Sequence, residues 1–253
     1  MKTNEEQRFL SRFNFQKEMK GFVGIERERF LTNSDNGFVP QAENFLSAIS
    51  NSLWTYELSA CQIEDRTKPF KEIKKVRDAL VENDNLGKNV AEKLSLHLQA
   101  IEVGPEDMPL TVYPDPRYLR IVSKISRERL SAGCRVASIQ IHFGMPDLET
   151  AIEKSNIVRE YLPLLCRLGD HSQGRRLALY KKMAPNWKPP QYRNVEHFFE
   201  VARQQGFSEN PRNCWHLIRI SIHGTIELRM FGTTDDLEEV LNWIEKAREF
   251  IEL

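Results

Sequence analysis

No segment of this chain holds the ~20 consecutive apolar residues that a membrane-spanning helix needs. Its N-terminus, Met1-Lys2-Thr3-Asn4-Glu5-Glu6-Gln7-Arg8, has no apolar stretch of the secretory-signal kind. Cysteine is scarce. Cys61, Cys134, Cys166 and Cys214 are widely spaced and never form C-x-x-C, which excludes a zinc-knuckle pattern and a dense disulfide framework. These features lead us to expect reduced thiols in a cytoplasmic protein with no membrane partner. Net charge is missing too: 36 Lys plus Arg balance 36 Asp plus Glu. A neutral chain is not one whose main task is to coat nucleic acid, and no nucleic-acid partner is expected. Twelve Gly and 12 Pro in 253 residues exclude collagen-like or low-complexity character. The signatures G-x-x-x-x-G-K-[ST], G-x-G-x-x-G, G-x-S-x-G and H-E-x-x-H are absent, so a nucleotide, if used, is not held by a P-loop.

What is present is a mixture of two periodicities. Residues 21–31, 53–64, 135–143, 214–222 and 225–231 read as extended segments, the last two joined in a hairpin at His223-Gly224. Helical spacing marks 41–51, 147–168 with an interruption at Pro163, 172–183, 194–205 ended by Gly206, and 235–252. A polar stretch to about Gln99 reads as two helices broken near Asn83–Gly87, and a short helix runs to about Leu130 after a Pro-rich loop. There is no repeat, linker or composition break, so 1–253 reads as one domain. Strands and helices recur without strict βαβ order. The expected fold class is therefore α+β, with a curved, largely antiparallel sheet and helices on one face.

Residues two apart on a strand share a face. Glu26 and Glu28 therefore point the same way, as do Ser138, Gln140 and His142, and as do Thr225, Glu227 and Arg229. Ile226, Leu228 and Met230 take the opposite, core face. Three strands thus each offer a polar stripe with Glu or His. Carboxylates with one imidazole suit a hard divalent cation such as Mg²⁺ or Mn²⁺. Without a cation, carboxylates at close range repel and some stay protonated. Glu57 and Glu64 are an odd number of residues apart, so either a bulge or bend near Ser59-Ala60 brings both to the site or only one reaches it.

Residues 171–193 hold Arg175, Arg176, Lys181, Lys182, Lys188 and Arg193 and no acid, which suits an anion. Ser172-Gln173-Gly174, just before a helix, could add backbone N–H donors. His97, His197 and His216 read as structural, His223 as a turn residue, and Cys61 as a packed thiol with no cation beside it to activate it.

Four motifs occur in order: G-x-E-x-E at Gly24 to Glu28, Y-E-L-S-x(4)-E ending at Glu64, I-x-I-H-F-G around His142, and W-x(3)-R-x(4)-G-T-I-E-L-R from Trp215 to Arg229. Together they resemble the glutamate–cysteine ligase family, and more widely the carboxylate–amine ligases built on a glutamine-synthetase-type catalytic sheet. The end of the chain also resembles the related amidoligases. The resemblance implies that Glu26, Glu28, Glu57, Glu64, His142 and Glu227 hold Mg²⁺ ions, and that Arg229 contacts the transferring phosphoryl group, with Glu227 beside it in the catalytic set. It implies further that Arg219, Ser172, Arg175, Arg176 and Gln140 contact ATP or substrate. Gln140 stands where close relatives often carry a second His, and the stretch between Leu165 and Ser172 is short where relatives carry an extended loop. These departures bear on the amino-acid substrate more than on the chemistry. The implied activity is ATP-dependent joining of a carboxylate, such as that of glutamate, to an amine through an acyl phosphate, with small-molecule amino acid or amine partners. The rivals are a phosphotransferase on the same fold and a non-catalytic binding relative. The oligomeric state stays open, a homo-oligomer included.

Overall fold

A computed structural model describes residues 3–253. Seven strands form one sheet in the order β2 (Trp54–Tyr56), β3 (Gln62–Arg66), β1 (Val23–Thr32), β5 (Ser138–Gly144), β7 (Thr225–Gly232), β6 (Ile218–Ser221), and β4 (His97–Gln99) pairs with the far end of β1. Every pairing among the described strands is antiparallel, as the hairpin-rich sequence leads one to expect.

One face of the sheet is apolar. Val23 and Ile25 of β1, Ile139 and Ile141 of β5, and Ile226 and Leu228 of β7 merge there with a helical layer. That layer includes α3 (Ile73–Lys93), α6 (Leu148–Glu160), α7 (Leu162–Leu168), α9 (Val195–Gln204) and α10 (Leu237–Glu252). Asp147, Asn194 and Asp236 accept backbone N–H bonds at the starts of α6, α9 and α10, which fixes where each helix begins. α10 buries Val240, Leu241, Ile244, Ala247 and Ile251 as its spacing predicts, and Trp243 stacks on Phe231 of β7. The first helix, α1 (Asn4–Leu10), adds Phe9 to a cluster with Phe198, Phe199 and Phe207. A second core forms where α2 (Ala42–Ile49) meets Leu31, Trp54 and Ile63. The other face of the sheet is polar, and α4 (Pro116–Val122), α5 (Arg127–Cys134) and α8 (Arg175–Met183) bring side chains to it.

Several local expectations are corrected. Residues 73–93 are one helix, not two. Asn83 and Gly87 lie on its buried face: Asn83 donates to Asp65 and to the Arg66 carbonyl, and a Cβ at Gly87 would fall 2.5 Å from the Trp54 ring. Both residues are packing choices rather than breakers. Residues 97–99 are a strand, because β1 extends past β5 and offers its edge. The short helix expected before Leu130 is the pair α4 and α5, capped by Asp115 and Ser126. Residues 53–64 are a hairpin rather than one strand, and of 214–222 only Ile218–Ser221 pairs. The hairpin at Gly224 is present. Its φ of 70° and the 2.2 Å approach of the Asn14 carbonyl to any Cβ there both require glycine.

β1 also carries Arg27 and Arg29 toward the helical layer, where both are buried. Arg27 reaches Asp65 and Asp84 at 2.9 and 2.8 Å, and Arg29 reaches the same two at 2.7 and 2.9 Å. None of the four cysteines is in a disulfide, and burial pushes the Cys61 thiol up to about 11. Among the described residues no helix is long and apolar enough to cross a membrane.

Candidate active site

The polar face holds a pocket of about 380 Å³. Antiparallel register assembles its floor. Gly24 on β1 faces His142 on β5, and His142 in turn faces Glu227 on β7. Glu28 faces Glu64 across β1 and β3. A bulge on β7 sets Arg229 and Met230 opposite the single residue Gln140. Alternation alone keeps Arg229 on the polar face and Met230 in the core; the extra residue brings the next side chain, Phe231, into the core as well.

Two groups of three ligand atoms result, each within 4.8 Å of one another: Glu26, His142 and Glu227, and Glu28, Glu57 and Glu64. The chain leaves β2 after Tyr56 and turns at Ser59–Gln62 into β3, so a bend near Ser59-Ala60 rather than a bulge brings Glu57 and Glu64 together. His142 Nδ1 is fixed at 2.9 Å from Thr225 Oγ1. Its Nε2 is buried without a hydrogen-bond partner and lies 3.6 Å from Glu26 and 3.9 Å from Glu227. An imidazole oriented through one nitrogen, with the other left over between two carboxylates, is the donor set a divalent cation takes.

The two groups differ electrostatically. Burial works against ionisation of Glu227, but Arg219, Arg229 and His142 outweigh it and hold the carboxylate at about 2. Glu26 is likewise lowered, by His142, Arg66 and Arg219 acting against burial. Burial works against the His142 cation, and Glu26 and Glu227 overcome it, raising the imidazole. In the second group, burial and then Glu57 push Glu28 up to about 8. Glu64 is also raised well above its ordinary value, by burial and then by Glu26 and Glu57. In the second group Arg66 beside Glu64 and Arg229 near Glu28 do not outweigh burial and the mutual repulsion of the carboxylates, and a divalent cation would supply the missing positive charge.

Arg229 links the groups. Its Nη1 donates to Glu227 Oε1 and to Gln140 Oε1 at 2.6 Å, and its Nε lies 3.3 Å from the Tyr180 hydroxyl. Gln140 Nε2 donates to Glu28 Oε1 at 2.7 Å, and Ser138 donates to Glu28 Oε2 from both its backbone and its hydroxyl. Arg219 holds Glu227 Oε2 from Nε at 2.8 Å and from Nη2 at 2.5 Å.

The pocket thus gathers Glu26, Glu57, Glu64, Gln140, His142, Arg219 and Arg229, while Glu28 and Glu227 lie behind that lining, each in a ligand group with residues that form it. Three sequence candidates stand elsewhere. Ser172 is not free to bind an anion: its hydroxyl donates to Asp170 at 2.6 Å and accepts from Arg176 N at 3.0 Å. Arg175 is exposed, its Nε on the Ser172 carbonyl at 3.1 Å. Arg176 does not line the main pocket but a cavity of about 90 Å³ behind Glu28, where its Nη2 donates to the Met230 carbonyl. The helix start that suggested an anion site is occupied instead by Asp170, whose other oxygen accepts from Gly174 N at 2.6 Å.

Sequence reasoning missed several residues. Arg66 bonds Glu64 at 2.7 Å and approaches Glu26 at 3.5 Å. Its place on β3, two residues beyond Glu64, was a usable signal. Tyr118 lies 3.4 Å from Glu57, and Trp215 lies beneath the Arg229 guanidinium at 5.9 Å. Tyr118 comes from a helix remote in sequence, and no local pattern marks it.

The chain matches a solved structure of this architecture, a bifunctional glutathione synthetase from Pasteurella multocida, with a TM-score of 0.68 over 99% of this chain and 40% of that one, at 13% identity. At that identity the likeness defines the fold. The family comes from sequence: the model of glutamate–cysteine ligase family 2 matches residues 22–248, and the chain belongs to that family. A Mycobacterium sp. (strain KMS) protein named for glutamate–cysteine ligase 2-2 is 27% identical over 229 residues, 82% of this chain and 62% of its own length. The glutamate–cysteine ligase of Natronomonas pharaonis is 26% identical over 255 residues, 92% of this chain and 69% of its own length. The chain thus spans less than two thirds of the mycobacterial relative.

Proposed function

We propose that this chain is a ligase that uses ATP to join a carboxylate, such as that of an amino acid, to an amine, acting on small molecules in the cytoplasm. The observation that carries the reading is the buried pair of ligand groups, Glu26–His142–Glu227 and Glu28–Glu57–Glu64, joined by Arg229 on one sheet face. Strands hold these side chains more rigidly than loops would. Mg²⁺ or Mn²⁺ held by these residues would neutralise phosphate oxygens and stabilise charge on the group in transfer.

The residues themselves account for the rest. A carboxylate is a poor acyl donor, and phosphorylation by ATP makes it an acyl phosphate that an amine can attack. Arg229 offers a planar guanidinium at the pocket floor, already oriented by Glu227, Gln140 and Tyr180, for charge developing on phosphate. Arg219 keeps Glu227 ionised and in place. Tyr118 and Arg66 orient Glu57 and Glu64. No protein nucleophile is needed, which fits thiols that burial has raised to about 11 and 12 at Cys61 and Cys134.

Hydroxylamine trapping tests the intermediate. With Mg²⁺, ATP and the right carboxylate but no amine, a hydroxamate should accumulate. A stable phosphorylated product, inert to hydroxylamine, would identify a phosphotransferase instead.

A further inference from the structure

Arg117 and Trp215 line both the carboxylate pocket and a second groove of about 650 Å³. Four cations line that groove: Arg117 and Arg120 on α4, Lys124 just beyond it, and Arg129 on α5. Its lining includes no acidic residue. Among the described residues none of the four is in an ion pair. Arg117 is steered by the Arg212 carbonyl at 3.2 Å, and Arg129 donates to the Met183 carbonyl at 3.2 and 2.7 Å. Carbonyls orient a guanidinium without neutralising it. Arg117 Nε is buried with no partner at all. Two acids lie close to these cations in sequence: Asp115 lines the main pocket and is engaged by the Tyr56 hydroxyl and the backbone of Arg117 and Tyr118, and Glu128, outside the groove lining, pairs with Lys182 at 3.2 Å. The chain as a whole is neutral, so the uncompensated positive charge is local.

The stripe has length as well as charge. From Arg117 to Lys124 the chain advances about 10 Å at 1.5 Å per residue. One carboxylate or phosphate cannot reach both ends, so the matching ligand carries at least two anionic groups.

We infer that this groove receives the amine substrate, and that this substrate bears two or more anionic groups, as a short acidic peptide does. The assignment to the amine rests on the ligase reading. There the carboxylate and the nucleotide phosphates belong with the two ligand groups, and the amine must approach from adjoining space. Flanking cations would also favour the neutral, nucleophilic amine over its ammonium form.

The test is calorimetric binding of triglutamate, triglycine and trilysine to the whole protein at low and raised salt, with and without saturating Mg²⁺-ATP. Triglutamate should bind, raised salt should weaken it, and Mg²⁺-ATP should leave its binding intact. Arg120→Glu with Lys124→Glu should weaken triglutamate by about tenfold or more. If that pair of changes prevents folding, Arg120→Gln and Lys124→Gln singly should each give a smaller loss. Equal binding of triglycine, no loss in the folded variants, or complete displacement by Mg²⁺-ATP would overturn the inference, the last by assigning the groove to the nucleotide. Phosphate release is read separately: triglutamate binding without ATP turnover under any substrate pair would remove the ligase reading and leave the anion groove standing.

Discussion

Glu28 on β1 and Glu64 on β3 stand directly opposite each other in the antiparallel register, both buried and both on the pocket face. Like charges at facing positions destabilise a sheet. On the opposite face the neighbouring pair, Arg27 and Asp65, is opposite in sign. The same two strands therefore carry a repelling pair toward the pocket and an attracting pair toward the core.

The repelling pair makes stability depend on pH and metal together. Glu28 is pushed up to about 8, Glu64 is also raised, and His142 is raised above its ordinary value. Between about pH 5 and 8 the folded chain then binds more protons at these sites than the unfolded chain does, and stability falls as pH rises. Glu26 and Glu227, both lowered, act oppositely, but their contribution is lost only below their unfolded values. Thermal melts without metal should show a falling midpoint from pH 5 to 8. Added Mg²⁺ should restore it most at the alkaline end, with proton release on binding. A flat profile indifferent to Mg²⁺ would count against the cation site.

Glu227 is better tested as Glu227→Gln than as alanine. Alanine would strand Arg219 and Arg229, and breaking a buried ion pair costs about 3–5 kcal/mol. Glutamine keeps the shape and removes the charge. Mg²⁺-dependent phosphate release should fall by about 10²–10³-fold, and the melting midpoint should fall less than in the alanine variant, because one acceptor remains although the charge that balances Arg219 and Arg229 is gone. Near-wild-type release would take Glu227 out of the site.

Arg229→Lys should lose activity by about 10²-fold. The native guanidinium meets Glu227, Gln140 and Tyr180 from one planar group, and an ammonium cannot reproduce that fork. Steady-state kinetics should show the loss in kcat rather than in KM for ATP. Unchanged kcat would make Arg229 a structural residue.

Asp65→Ala should act on stability instead. It removes the carboxylate between two guanidiniums, those of Arg27 and Arg29, that are buried against α3. The expected loss is about 3–5 kcal/mol in denaturant unfolding. A loss below 1 kcal/mol would mean that Asp84 alone suffices.

These residues also show what the sequence could reveal. The alternation in β1, β5 and β7 exposed Glu26, Glu28, Gln140, His142, Glu227 and Arg229, because a period of two is a local property. The closing helix was equally legible from its buried stripe. Gly87 and Asn83 misled because a helix breaker and a packing contact look alike until Trp54 and Asp65 are in place. Arg27 and Arg29 gave no sign of lying in a core, since only the fold supplies Asp65 and Asp84. The basic run at 171–193 looked like an anion site, but Asp170, one residue before it, takes the helix start.

The most direct measurement is Mg²⁺-dependent phosphate release from ATP across pairs of amino acids and amines, with mass detection of the products. The account predicts release that requires one particular pair, and a product whose mass is their sum less one water. Release that needs no amine, or the absence of both ATP binding and release with every pair, would contradict it.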